Sequence, residues 1–286
     1  MLFPLSYSQR NIWDVERSIP GTSINSISTT IRISGRVDFA LMQQALNLVT
    51  EHDMSLRTRL VMQPDGMPLQ YHAPYAPEEF PLLDFTLTDE QGISHWETTL
   101  TREPIPLLEA PLYRFCMFRI NENTAGILVK VHHIISDGWS QAMLCNRIGQ
   151  TYLNLLAGQP HGLAQSPDYR LHLEEEQQYL ASRALQADEA YWRGALAQGC
   201  EPAALKTVKS VVMSPVGRRR SYQLPQLLNH AIYSYCIANR VAPFAVLYMA
   251  LAIYLQRMGS AGRFIIGVPI FNRTNYTFKQ TAGMFV

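Results

Sequence analysis

The sequence predicts a mixed α/β chain arranged as two layered lobes. Three observations predict it. Segments with strand-type and helix-type apolar spacing succeed one another along the chain. The length, 286 residues, exceeds what one ordinary core organises. A second run of helix and strand patterns follows a loop at 159–167 that contains Pro160 and Gly162. Hydrophobic residues make up 47% and charged residues 16%, the balance of a folded chain and not of a disordered one.

Residues 23–34 have the alternation of a strand, with Ile27, Thr29, Ile31 and Ile33 on one face, and Gly35 breaks it. Asp38 is placed to cap a helix reaching about Glu51, whose apolar stripe is Leu41, Ala45, Leu48 and Val49. Two further strands, 112–120 and 126–131, flank the polar turn Asn121-Glu122-Asn123, and the second runs into His132 and His133. A helix over 140–156 follows, lined by Leu144, Ile148, Tyr152 and Leu155 and stopped at Gly158. Beyond the loop, 169–197 has the pattern of one charged helix. Its Glu174-Glu175-Glu176 run reads as a wet face ahead of a metal site. The domain boundary is expected near this helix, giving an N-terminal lobe over 1–175 and a second lobe over 176–286. The second lobe shows helices at 225–239 and 243–258. Pro243 sits at the first helical position of the latter, and Phe244, Leu247, Leu251 and Leu255 form its stripe. Gly259 and Gly262 punctuate before a buried strand at 264–270.

The formal net charge of +1 gives no field to gather nucleic acid or an anionic membrane. The one basic run, Arg218 to Arg220 beside Pro215 and Gly217, reads first as a solvated loop and second as a docking patch for an acidic partner. Cys116, Cys145, Cys200 and Cys236 form no C-x-x-C pair, which argues against a zinc knuckle or a disulfide framework and fits a reducing compartment. With no signal-peptide pattern and no long apolar run, a cytoplasmic location is expected.

The sharpest local feature is His132-His133-Ile134-Ile135-Ser136-Asp137-Gly138-Trp139-Ser140, at a junction of strand and helix. Such a junction presents side chains at a sheet edge beside unpaired helix N–H groups. A histidine there, with an ordinary pKa of about 6.5, is suited to accept a proton from a nucleophile. Asp137 would either orient the ring or pin the loop to an arginine. From spacing alone, a pair of hydrogen-bonded surface histidines takes half the weight, and Asp137-Gly138 could be only a turn. A metal site needs more ligands, and His52, His72, His95, His161, His172 and His230 show no matching spacing. There is no Gly-x-Ser-x-Gly elbow and no phosphate-binding loop. What is left is a site that brings two substrates together on one histidine without a covalent intermediate.

The stretch 132–140 resembles the H-H-x-x-x-D-G motif of condensation domains in nonribosomal peptide synthetases, and five further segments resemble that family's motifs in order. They are 5–13 (LSYSQRNIW), 51–60 with Leu56-Arg57-Thr58, Asp168-Tyr169 with Tyr191-Trp192, 266–273 (IGVPIFNR) and 282–286 (AGMFV). The resemblance implies a chloramphenicol acetyltransferase-like fold of two lobes in a V around a tunnel. Since family members continue past the sixth motif, it also implies that the second lobe is incomplete here. The implied reaction is amide formation between a donor thioester and an acceptor amine, each carried on the phosphopantetheine of a peptidyl carrier protein. The remaining synthetase domains are further implied partners, and no metal or cofactor is held by the chain itself. By the same resemblance His133 is the catalytic histidine, as general base or as a group that positions the amine. Both roles are open chemically, because an α-amine of pKa about 8 is partly neutral already. Asp137 is implied to be structural, ion-paired with Arg273 across the lobes, with Arg57 as the second candidate. His132 is expected beneath the loop and Gly138 beside the substrate, its N–H turned to the developing oxyanion. The histidine pair departs from cyclising relatives, and Gly138-Trp139-Ser140 favours condensation over epimerisation. Two alternatives stand beside this: acyl transfer to a small soluble acceptor, and a non-catalytic carrier-docking fragment.

Overall fold

In the computed structural model, the alternating and helical patterns settle into β1 (Phe3–Pro4), α1 (Tyr7–Ser18), β2 (Ser26–Ser34), α2 (Phe39–His52), β3 (Thr58–Met62), β4 (Pro68–His72), β5 (Leu82–Asp84), α3 (Glu90–Arg102), β6 (Tyr113–Asn121) and β7 (Thr124–His132). A 3-10 turn (His133–Ile135), α4 (Gly138–Leu156), α5 (Arg170–Leu180), α6 (Arg183–Leu196), β8 (Glu201–Pro202), α7 (Gln226–Asn239), α8 (Pro243–Arg257), β9 (Phe264–Ile265) and α9 (Tyr276–Gln280) follow. The structure describes every residue except 65, 198, 200, 203–216, 218–219 and 259–262. Cys200, Pro215, Arg218, Arg219, Gly259 and Gly262, which the sequence singled out, therefore lie outside the described residues.

The chain divides into one unit of Met1–Leu180 with Ile270–Val286, and a second of Ala181–Pro269. The first is built on a sheet of order β2-β7-β6-β5, antiparallel except where β5 runs parallel to β6. β6 and β7 form a hairpin across Glu122 and Asn123. A smaller antiparallel sheet has the order β1-β4-β3. α2 packs along α4, and their core faces meet the sheet through Met42, Leu46, Leu144, Ile148, Val129 and Ile127. The stripe of α2 is Met42, Ala45, Leu46 and Val49, a slight rotation from the expected one, which leaves Leu41 and Leu48 half-buried. Asp38 caps this helix as expected, accepting from the N–H groups of Ala40 and Leu41 at 3.0 and 3.1 Å.

One buried cation stabilises this unit from inside the sheet. Lys130 on β7 donates from Nζ to the carbonyls of Leu100 and Thr101 at 2.8 and 3.1 Å, and to that of Glu103, where α3 runs out of helical partners. Burial lowers its pKa to about 8, so it is still largely charged at neutral pH.

Three expectations are altered. The helix expected over 169–197 is two helices, because Ser182 leaves the helical conformation and its hydroxyl accepts from Leu185 N–H at 3.4 Å to start α6. The strand expected to be buried over 264–270 is only β9, paired over two residues with β8, and its Ile265 is exposed. The residues Ile270–Val286, expected in the lobe 176–286, belong to the first unit. Their Phe278 and Phe285 are buried with Phe3, Tyr169 and Leu173 in a second apolar cluster. In the second unit β8 and β9 pair in parallel. Of the α8 stripe only Leu255 is buried, while Phe244, Leu247 and Leu251 are exposed. Among the described residues no single helix is long and apolar enough to cross a membrane, although α7 and α8 together, bent by 110°, reach that length and apolarity.

Candidate active site

β7 carries the histidine pair to the end of the central sheet, and the chain turns at once into α4. His132, the last residue of the strand, is 2% exposed. Its Nδ1 accepts the Ile134 N–H at 3.1 Å, which caps the start of the 3-10 turn, and its Nε2 lies 3.3 Å from Glu16 Oε1 on α1. Asn25 donates to the same carboxylate oxygen at 2.8 Å. Burial pushes the Glu16 carboxyl up, but the bonds from His132 and Asn25 outweigh it and hold the group below its ordinary range. His133 is half-buried, with its N–H donating to the Asn25 carbonyl at 2.6 Å and its Nδ1 3.2 Å from Met284 Sδ. Burial lowers its imidazole pKa against the opposing pull of Asp137, so the ring is neutral at pH 7.

Asp137 has no exposed surface and all its acceptor capacity is committed. Oδ1 takes the Ser140 N–H at 2.8 Å as the N-cap of α4, and Arg273 at 3.0 Å. Oδ2 takes Arg273 at 2.6 Å and the Phe285 N–H at 3.2 Å. The guanidinium also donates to Ser140 Oγ at 2.7 Å and to the Phe278 carbonyl at 3.1 Å, and it lies 4.1 Å over the Phe285 ring. Ser140 Oγ in turn donates to the Gly283 carbonyl at 2.9 Å and accepts the Gly283 N–H at 3.0 Å. Both Asp137 and Arg273 belong to the first unit, so the ion pair is internal to it and does not join two lobes. Arg57 is elsewhere, donating to the Ala73 carbonyl at 3.3 Å. Gly138 opens α4, where its N–H has no intrahelical acceptor, and a side chain built on it would meet nothing within 4 Å. Trp139 is exposed, with its indole N–H on the Lys279 carbonyl at 3.0 Å and its ring edge against Phe271.

A half-buried neutral imidazole at a sheet end, beside a helix N-terminus and a fully neutralised carboxylate, is an arrangement for orienting a nucleophile. The family model described as Condensation domain matches residues 2–286. The chain belongs to the condensation-domain family. Surfactin synthase subunit 1 of Bacillus subtilis (strain 168) is 33% identical over 288 residues, covering 99% of this chain and 8% of that protein. A linear gramicidin synthase of Brevibacillus parabrevis is 29% identical over 293 residues, again 99% of this chain but 6% of that protein. The chain thus spans less than a tenth of either relative. Among solved structures, the first condensation domain of the CDA synthetase superposes with a TM-score of 0.84 at 23% identity, covering 100% of this chain and 69% of that one. The starter condensation domain of rhizomide synthetase gives 0.65 at 25% identity over 72% of this chain and 50% of that one. The mixed α/β, chloramphenicol acetyltransferase-like fold of these domains is the fold of this chain.

Within this condensation domain the structure gathers His132, His133, Asp137, Gly138, Trp139, Ser140 and Arg273 in one place and leaves Arg57 outside. Sequence reasoning gave no individual role to Gln9, Glu16, Asn25 and Met284, although Gln9 and Met284 lie in the motif segments 5–13 and 282–286. Gln9 and Glu16 lie seven residues apart on the buried side of α1 with Trp13 between them. A polar pair at that spacing on an otherwise apolar face was the available signal. Asn25 acts through its backbone carbonyl and its amide, and Met284 through a thioether, contacts that no spacing in the sequence announces.

Proposed function

We propose that this chain forms amide bonds between two carrier-borne substrates. The acceptor amine attacks the donor thioester carbonyl, the new C–N bond forms as the C–S bond breaks, and the amine proton ends on the departing thiol of the donor's phosphopantetheine arm. His133 holds the amine and takes its proton on the way. One observation carries the reading. Along His132 to Ser140 the other polar side chains are committed to internal bonds, while His133 is half-buried, neutral and held from its backbone. The open space beside Gly138, with the α4 N-terminus behind it, suits a carbonyl oxygen that gains negative charge. Donor and acceptor carrier proteins, and the adjoining domains of a synthetase, are the partners this reaction requires.

The test is a single-turnover reaction read by intact-protein mass spectrometry. Donor and acceptor carriers are loaded with simple aminoacyl groups, and the parent chain is compared with His133→Ala. A dipeptidyl carrier formed only with the parent supports the proposal. Equal product from both sinks the role of His133, and product on a free amine but not on a carrier-bound one points to a soluble acceptor.

A further inference from the structure

The histidine on which the proposed reaction depends is pinned through its main chain by a network rooted in α1. His133 N–H donates to the Asn25 carbonyl at 2.6 Å, and the Asn25 side chain is held by Glu16 at 2.8 Å. The next N–H, that of Ile134, donates to His132 Nδ1 at 3.1 Å, and the far side of that ring is held by the same Glu16 oxygen at 3.3 Å. The Ile134 carbonyl accepts from Gln9 Nε2 at 2.8 Å, and Gln9 is locked by reciprocal amide bonds to Gln70 at 3.0 and 2.7 Å. Three successive backbone groups are therefore fixed, two of them through one carboxylate. Glu16 is 9% exposed, Asn25 7% and Gln9 1%, so water does not compete freely for these bonds.

The tautomer of His132 follows from the geometry. Its Nδ1 is an acceptor for a backbone N–H, so the ring proton is on Nε2, where the Glu16 carboxylate receives it. If the proton moved to Nδ1, two N–H groups would face one another and the turn carrying His133 would lose its N-terminal cap. We infer that Glu16 is a positioning residue for condensation: by holding His132 as the Nε2–H tautomer and anchoring Asn25, it fixes the turn that aims His133. Its effect is on orientation alone, because Glu16 reaches His133 only through these intermediaries. This rests on the proposed role of His133.

Two variants separate positioning from bulk stability. Glu16→Gln keeps a carbonyl oxygen where the carboxylate oxygen is, whereas Glu16→Leu removes the acceptor and keeps similar volume. In the parent chain labelled with 15N-histidine, two-bond imidazole correlations are expected to show His132 fixed as Nε2–H, with slow exchange of the His133 amide. Glu16→Gln should preserve both signals and keep the turnover rate within about threefold. Glu16→Leu should mix the tautomers, speed the exchange and lower turnover by about ten- to a hundredfold with the acceptor KM unchanged, as expected for a small loss of alignment. An Nδ1–H ring at His132 in the parent overturns the inference without any variant, which covers the case that Glu16→Leu does not fold. A folded Glu16→Leu chain with parental turnover overturns it too. If the parent makes no amide while His132 is fixed as Nε2–H, the functional reading fails and the positioning network stands.

Discussion

Removing the guanidinium of Arg273 should detach Ile270–Val286 from the motif it covers. Both side chains of the Asp137–Arg273 pair have zero exposure and their closest atoms are 2.6 Å apart. In Arg273→Met the carboxylate would keep only the Ser140 and Phe285 N–H groups, at 2.8 and 3.2 Å. The carbonyls of Phe278 and Thr281, now 3.1 and 3.4 Å from the guanidinium, would lose a donor. An unpaired buried charge of this kind costs about 3–5 kcal/mol. That raises the opening equilibrium of the segment about a hundredfold to several thousandfold. Because the chain has two units, a single global midpoint is a poor measure, and hydrogen exchange resolved by segment is the assay. The amides of Gly283 and Phe285 should lose protection first, followed by the first turn of α4. Asp137→Asn combined with Arg273→Met removes both charges while keeping a cap for α4, so the double variant should be less destabilised than the sum of the singles by about 1–3 kcal/mol. Additive singles, or unchanged protection across 270–286 in Arg273→Met, would refute the reasoning.

Four further outcomes rest on the same structure. Gly283→Ala drives a methyl into Tyr169 Cδ2, on a buried ring whose hydroxyl bonds the Met284 carbonyl and lies 2.9 Å from Ser6 Oγ; a loss of about 1–3 kcal/mol is expected, and unchanged exchange protection of the Phe285 amide would contradict it. Lys130→Met strips the end of α3 of its donor and should cost about 1–3 kcal/mol in urea unfolding, with exchange rising first at α3. Burial and the charge of Arg273 push His172 down to about 4, below its unfolded value of about 6.5. The stability this group contributes is therefore complete above pH 6.5 and lost as pH falls from there through about 4, roughly 3 kcal/mol at 1.36 kcal/mol for each pH interval of one, and His172→Phe should flatten that slope in the opening free energy of the Phe285 amide, taken from exchange corrected for its intrinsic pH dependence and compared between pH 7.5 and 4.5. Leu227, Ile237 and Phe244 are 87, 79 and 60% exposed on α7 and α8, so sedimentation velocity should show concentration-dependent association, and a chain that stays monomeric would argue against an adhesive surface there.

The parts of the fold that were legible are those whose periodicity is long and local. β2, α2, β6, β7 and α4 all begin and end within a few residues of where the spacing of apolar residues, Asp38 and Gly158 place them. β1, β4 and β5 were not legible, because two- to five-residue strands are stabilised by the partner they pair with and have no pattern of their own. The continuous helix inferred from 169 to 197 failed at Ser182, where one hydroxyl offers the backbone an alternative bond. At the site, the junction of strand and helix and the family motif located His133, Asp137 and Arg273. Glu16 and His132 are 116 residues apart in sequence, and neither spacing nor composition links them.

The division of labour within the motif bears on how activity losses are interpreted. His132, Asp137 and Ser140 are buried and saturated with internal bonds, so substituting any of them perturbs the platform before it perturbs the chemistry. Asp137 is the clearest case. Its neighbour in sequence is the proposed oxyanion donor and its ionic partner lies on the segment that places Met284 against His133, so an inactive Asp137 variant is what a purely structural residue would give. His133 is different because its side chain accepts little from the protein: truncating it leaves the turn, the cap and the ion pair in place. For His133, loss of turnover with the 270–286 amides still protected therefore assigns a role at the reacting centre, whereas for Asp137 loss of both assigns architecture.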